Sequence, residues 1–466
     1  MPTSDRSRLP LLQLAWPIFV ENILRTALMS VDTLMLSRYS AEAVAAMSVV
    51  NQFAFFLQLL YMMVSTGASI LITQRLGAGK TREAGLFGVA SLGLIVAASL
   101  LVSVVFVVCT PLLLALYRLE PEVALYARQF LTIYGGLSFL IALNIGQASI
   151  LRAWGYARDP MLVNIFALLL IVCGNALCLF GFFGFPVLGV VGVAATTMIA
   201  YAVACALSFV LIRRRRELEL PLRNLLRIPR SIYRSMLAIG VPTAGENLAY
   251  NLSQIAILAM LSKVGTSALA TFGILMSVLR YVFMPGVSIG LATQIKVGYL
   301  VGAGRPGEAV RAVYRYLAIA FSISLGAVVL LQVFHRPILG LFSQDPGVLA
   351  LAASVLVVAL VHEPGRNFNT VIIPALKGAG DVRFPVYVGV ISMWGVGAGG
   401  AWLLGVHFGL GLVGVWIAMT ADEWLRGIAM LLRWRSGAWR KMALVQAAED
   451  LAAVSPVAAV EIGDGL

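Results

Sequence analysis

The sequence predicts an all-α integral membrane protein of twelve transmembrane helices arranged as two parallel six-helix repeats. Three observations carry that prediction. Of 466 residues, 60% are hydrophobic and only 12% charged, whereas a soluble chain carries roughly 25% charged residues. Apolar runs of about 20 residues, long enough to cross a bilayer, can be laid down twelve times. Residues 17–84 also reappear without a gap as residues 242–309. Pro17, Glu21 and Asn22 match Pro242, Glu246 and Asn247, and Gly77-Ala78-Gly79 matches Gly302-Ala303-Gly304. The offset of 225 resumes with Arg152, Gly155, Arg158 and Pro160 against Lys377, Gly380, Arg383 and Pro385.

The first six spans are placed at 11–36, 44–73, 86–110, 122–150, 161–183 and 187–212. The second six are placed at 236–262, 268–299, 312–334, 348–375, 384–406 and 411–433. Span one follows Arg6 and Arg8 as a signal peptide would, but it is too long, contains Glu21, Arg25 and Asp32, and lacks a small-residue cleavage site. It reads as a retained helix. Several spans exceed the minimum length, which implies tilt or kinks. Backbone groups in hydrocarbon must be satisfied within the segment, so runs of this length are helices. In the second half, Pro285, Pro364 and Pro374 predict kinks. The small residues from Trp394 to Trp402 suit close helix contacts.

Six spans per half is an even number, so the second half starts from the same side as the first and the repeats are parallel. The chain divides into an N-terminal bundle (1–212), a basic cytoplasmic linker (213–235), a C-terminal bundle (236–440) and a cytoplasmic tail (441–466).

The net charge of +13 is distributed by topology. One side takes Arg6, Arg8, Arg75, Lys80, Arg82, Arg152, Arg158, the Arg213–Arg216 run, Arg223, Arg227, Arg230 and Arg234. It also takes Arg305, Arg311, Arg315, Lys377, Arg383, Arg433, Arg435, Arg440 and Lys441, against Arg38, Arg118, Lys263 and Arg336 opposite. That is the positive-inside pattern, with both termini cytoplasmic in a bacterial inner membrane. A nucleic-acid partner is not expected.

Cofactor and metal signals are weak. Cys109, Cys173, Cys178 and Cys205 lie inside apolar spans and read as small packing residues. His335, His362 and His407 are scattered, so no zinc site is expected. Gly77-Ala-Gly-Lys-Thr81 looks like the end of a phosphate-binding loop, but Gln74 stands where a glycine is needed and the motif follows an apolar helix. No cofactor is expected, and an ion gradient is the economical energy source.

Ionisable groups inside a span cost roughly 2.5–3.5 kcal/mol each, so each needs a partner or a task. Glu21, Arg25 and Asp32 fall within about 40° of one another on one helix face. Glu21 and Arg25 have the spacing of an i,i+4 ion pair, which leaves Asp32 without a local counter-charge. Because Glu21 and Asn22 recur as Glu246 and Asn247, a shared scaffold role competes with a substrate-cavity role for all four. Asp32 faces Ile257 in the other half, so it reads as the carboxylate that takes up a proton or cation, with a buried structural acid as the alternative. The second half has Glu363 with Arg366, and Asp422 and Glu423 with Arg426, where the first half is apolar or neutral. These residues form either a structural salt-bridge network or a coupling site or gate, and Arg128, Arg280 and Lys296 either join it or snorkel outward.

The chain resembles the multidrug and toxic compound extrusion (MATE) family over about residues 8 to 440. The resemblance rests on Pro17-Ile-Phe-Val-Glu-Asn22 leading to Val31-Asp-Thr-Leu-Met35, and on the two Gly-Ala-Gly segments. Arg152-Ala-Trp-Gly155 with Pro160, Lys377-Gly-Ala-Gly-Asp381 with Pro385, and Phe185-Pro186 with Gly189-Val-Val-Gly192 add to it. It implies a V-shaped pair of six-helix bundles exporting organic cations or amphipathic compounds in exchange for protons or sodium. By the same resemblance, Asp32 matches the first-helix coupling acid, and Asn175 and Thr197 occupy polar positions on the fifth and sixth spans. Some relatives carry aspartate where Asn175 stands here. The acid that some members place late in the seventh span has no clear counterpart, and Arg366 stands where some carry an acid in the tenth.

The expectation is therefore an ion-coupled antiporter working by alternating access. Its partners are a small cationic or amphipathic substrate, H+ or Na+ (with Na+ near Asp32) and membrane lipid, and a monomer is expected. The main rival is a flippase for lipid-linked oligosaccharide or another lipid-like substrate. An enzyme is disfavoured, since no nucleophile, paired catalytic carboxylates or metal cluster is legible.

Overall fold

The structure is a computed structural model that describes residues 6–442 apart from 116, 118, 216, 219 and 222–227. The expected tail beyond Met442, with Arg118, Arg216, Arg223 and Arg227, lies outside the described residues. The first half contains α1 (Leu11–Ser37), α2 (Ala41–Gly77), α3 (Thr81–Ala115), α4 (Pro121–Gly136), α5 (Ser138–Ala153), α6 (Arg158–Phe180) and α7 (Gly189–Arg214). The second contains α8 (Arg230–Val264), α9 (Thr266–Gly302), α10 (Pro306–Val333), the short α11 (His335–Gly340), α12 (Pro346–Ala379), α13 (Arg383–Ser392) and α14 (Gly411–Ser436). Beyond Ser392 the chain widens into π-helix at Met393–Ala398 and Ala401–His407.

The fold is the all-α, duplicated membrane architecture that the sequence predicts. Among the described residues, nine helices are long and apolar enough to span, and the bent α4–α5 pair makes a tenth. The other two expected spans are α8 and α14, whose charged and polar residues lower their hydropathy. In α14 those are Asp422, Glu423 and Arg426, all buried. On α3, by contrast, Leu101, Val104, Val108 and Leu112 are exposed, as befits a helix whose solvent is lipid.

The expected fourth span is not a single helix. α4 and α5 meet at 49°, where Gly135 and Gly136 precede Leu137. Adjacent glycines are a usual site of such a bend. At the break, the Ser138 hydroxyl lies 2.7 Å from the Tyr61 hydroxyl and 2.9 Å from that of Ser103. The matching residues of the second half are Leu360, Val361 and His362, and α12 runs unbroken past Pro364 and Pro374, as α9 does past Pro285. α7 and α8 also extend into the expected 213–235 connection from both ends.

The helices gather into two compact units. One holds Leu12–Ile72 and Thr81–Ala244. The other holds Thr73–Lys80, the residues up to Leu11, and Gly245 with the helices after it. The first is cored at Val163, Ala167, Ile171, Ala200 and Ala204, where α6 packs on α7. The second has a larger core around Leu275, Leu356 and Trp416, formed by α9, α12 and α14.

The repeated Gly-Ala-Gly segments have a packing role in the second unit. Gly77 and Gly302 lie where the ends of α2 and α9 cross, and Gly79 and Gly304 then reverse the chain at φ of 75° and 70°, a conformation natural to glycine. A methyl group at Gly77 would overlap the Tyr299 carbonyl, and one at Gly302 would overlap the Gln74 carbonyl. Gln74 and Tyr299 are themselves repeat equivalents, so one contact is made twice. We expect Gly302→Ala to cost about 1–3 kcal/mol through overpacking, read as a lower thermal midpoint in detergent. Gly326→Ala, where an added methyl meets nothing within 4 Å, should show no such loss.

Candidate coupling site

The site is built from three helices of the first unit. α6 and α7 cross at small residues: a methyl on Gly174 would overlap the Thr196 side chain, and Gly192 faces Cys178. This close crossing fixes Asn175 and Thr197, each next in sequence to a contact residue. Asn175 is 1% exposed, and its Nδ2 donates to Asp32 Oδ1 on α1 at 3.0 Å. Asn175 Oδ1 has no partner among the described residues. Asp32 is partly buried, and no ion pair reaches it among the described residues. The Thr197 hydroxyl donates to the Val193 carbonyl of its own helix at 2.8 Å. Asp32 and Asn175 are therefore brought together, and Thr197 bonds to its own backbone.

The expected Glu21–Arg25 pair is not formed. Glu21 instead pairs with Arg152 on α5 at 3.1 Å and accepts from Asn164 Nδ2 on α6 at 2.7 Å. Arg25 lies beside Tyr201 and Tyr134. Glu21 is thus served by donors from two neighbouring helices, α5 and α6. The same arrangement occurs in the second unit, where Glu246 pairs with Lys377 at 2.7 Å. Lys377 is the repeat equivalent of Arg152, and Gly389, equivalent to Asn164, lies against Glu246. Charge distribution alone groups Arg152 and Lys377 with the loop cations, whereas the offset of 225 that they share with Glu21 and Glu246 is the signal of the pair. Asn22 and Asn247 sit beside the two acids at matching positions.

Away from these pairs the units diverge. Glu363, Arg366, Glu423, Arg426 and Asp422 are all buried and linked in the second unit, and Tyr250 lies beside them. Ala200 and Ala204, the first-half counterparts of Asp422 and Arg426, belong to an apolar core, and Ser138, the counterpart of Glu363, is the hydroxyl at the α4–α5 break. Arg128 and Arg280 are exposed and stay outside the network. Lys296 Nζ donates to the carbonyls of Ser7 and Leu9. The positions matching Asp32 and Thr197 are Ile257 and Met419, which line a small pocket of about 20 Å³, room for a water molecule, with Tyr250, Gln254, Gly397, Asp422 and Glu423.

A duplicated set of membrane helices, with polar groups held inside each half, is the architecture of secondary transporters. The family model described as MatE matches residues 17–177 and 242–403, one match in each half. The chain belongs to the MatE family, and it is a multi-pass membrane transporter, not an enzyme. It is 39% identical over 430 residues to the "Uncharacterized transporter YisQ" of Bacillus subtilis (strain 168), covering 92% of this chain and 94% of that one. It is 27% identical over 441 residues to the "Probable multidrug resistance protein NorM" of Thermotoga maritima, covering 94% of each. Among solved structures, a MATE protein in the bent conformation superposes with a TM-score of 0.85 at 20% identity, covering 93% of this chain and 96% of that one. A MOP superfamily transporter from Pyrococcus furiosus gives 0.84 at 20% identity, covering 91% and 94%.

Removing one member of a buried ion pair leaves an unpaired charge, at about 3–5 kcal/mol. We expect Glu246→Gln to lower the thermal midpoint in detergent, and addition of Lys377→Met to recover part of the loss. Glu21→Gln should cost less, because that pair is more exposed, with 17% of each side chain accessible. A double-mutant cycle with no coupling energy would remove the shared pair from the account.

Proposed function

We propose that the protein is an ion-coupled antiporter that exports organic cations or amphipathic compounds by alternating access across the bacterial inner membrane, with both termini cytoplasmic. One observation carries the coupling role of Asp32: a carboxylate within a membrane span whose hydrogen bond comes from a neutral amide, Asn175, and which no basic group among the described residues neutralises. Its repeat equivalent is Ile257, so a requirement of the shared scaffold does not account for it. A carboxylate in that setting gains from taking up a cation, and the NorM relatives, named as multidrug resistance proteins, support an exporter.

The donor set favours a proton as that cation. Among the described residues, the protein oxygens at the site without a committed donor are Asp32 Oδ2 and Asn175 Oδ1. A proton needs only the carboxylate, whereas sodium would draw its remaining ligands from water or from Thr197. Glu21, Asn22, Glu246 and Asn247 support the bundles in this reading, and the second-unit charges border a separate pocket. A flippase would set basic groups such as Arg280, Lys296 and Arg366 against a pyrophosphate. Here Arg366 is paired with carboxylates, Lys296 donates to the carbonyls of Ser7 and Leu9, and Arg280 is exposed.

The test is cationic-dye transport in proteoliposomes under an imposed proton or sodium gradient. Wild-type protein should move dye against a proton gradient acidic on the far side, driven by about 2.3 kcal/mol per charge per 100 mV plus the chemical gradient. Asp32→Asn should insert normally and show the dye flux of empty liposomes. Undiminished proton-driven flux in that variant would remove Asp32 from the mechanism. Movement under sodium alone would reassign the ion.

A further inference from the structure

Five buried side chains of the second unit form one unbranched chain of ion pairs. Glu363 meets Arg366 at 3.1 Å, Arg366 Nε approaches Glu423 at 3.6 Å, Glu423 meets Arg426 at 3.0 Å, and Arg426 meets Asp422 at 3.0 Å. The chain starts and ends on an acid, so three carboxyl groups face two guanidinium groups. Arginine does not give up its proton. The fully ionised chain therefore holds one uncompensated negative charge in a region where such a charge is costly.

The surplus charge can be placed by counting donors. Glu423, in the middle, is served by both arginines and by Asn369 Nδ2 at 2.6 Å, so it remains a carboxylate. Glu363 is 1% exposed and is not among the pocket-lining residues. Asp422 is a chain end that lines the pocket, and its Oδ1 lies 2.5 Å from the Ser392 hydroxyl. A hydroxyl both donates and accepts. Ser392 can therefore donate to an ionised Asp422 and accept from a protonated one without rearrangement.

We propose that Asp422 is a second exchangeable proton site. The carboxylate takes a proton from water in the pocket to become a carboxylic acid whose O–H donates to Ser392 Oγ, and it returns that proton to the pocket on release. Facing Asp422 on its own helix are Arg426 and Glu423, and Ser392 faces it from α13. Further along the network, α12 contributes Arg366, Glu363 and the buried His362, whose Nδ1 lies 3.2 Å from Thr420 Oγ1. α8 contributes Tyr250 and the Lys377-paired Glu246, and α9 sets the Phe283 ring against Arg366. As a protonation site the proposal stands alone. As a coupling site it rests on the exporter reading and adds a second proton to that of Asp32.

Infrared difference spectroscopy of the purified full-length protein, titrated with pH, tests it without any cargo. The wild-type-minus-Asp422→Asn spectrum should contain the carbonyl stretch of one protonated carboxylic acid, distinct from the one removed by Asp32→Asn. Ser392→Ala should retain that band and move it to higher frequency, because its hydrogen bond is lost. This milder variant decides the matter if Asp422→Asn fails to fold. The proposal is overturned if the band is absent from the Asp422→Asn difference, if Glu363→Gln removes it instead, or if Ser392→Ala leaves it unmoved. Undiminished proton-driven flux in Asp32→Asn with the Asp422 band intact would count against the exporter reading alone.

Discussion

A charge in hydrocarbon persists only with a partner, and most of this structure follows from how each ionisable group meets that demand. Glu21 and Glu246 are met by Arg152 and Lys377 from neighbouring helices. Glu363, Asp422 and Glu423 share Arg366 and Arg426. Asp32 alone among these in-span acids is left to an amide. The cost of leaving it so is of the order that a full ion pair would offset, and the fold bears that cost in one half of a duplicated chain.

Duplication supplies an internal control. Features found twice at the same offset, namely the Glu–Arg/Lys pair and the Gly77 and Gly302 crossing contacts, belong to the scaffold that both halves need. Features found once mark where the halves took on different work. In the first unit, Ala200 and Ala204 pack against Val163 and Ile171. The equivalent turns of α14 carry Asp422 and Arg426 instead. The bend between α4 and α5 also has no copy, since α12 continues through the matching residues.

Much of this was legible in the sequence, and the failures have physical causes. Apolar run length and the 225-residue offset specify the spans and the repeat because lipid leaves the backbone no alternative to helices. The i,i+3 and i,i+4 spacings in α12 and α14 gave true ion pairs. The same rule misled at Glu21, because Arg25 competes there with a donor 131 residues away in sequence, and tertiary partners override local spacing. The break in the fourth span falls at Gly135-Gly136, where the absence of side chains lets Phe106 and Val107 of α3 lie against the backbone, a tertiary contact that no local pattern announces. The link between Arg366 and Glu423 depends on how α12 and α14 pack, which no local pattern encodes.

The most direct measurement of the central claim is the proton gradient at which dye flux reverses in proteoliposomes. In a coupled exchanger the reversal point shifts with the imposed proton gradient, because dye and protons share one cycle. The account predicts that shift for the wild-type protein and its disappearance in Asp32→Asn, with any residual flux reversing at the dye's own gradient. An Asp32→Asn reversal point that follows the proton gradient as the wild type does would contradict it.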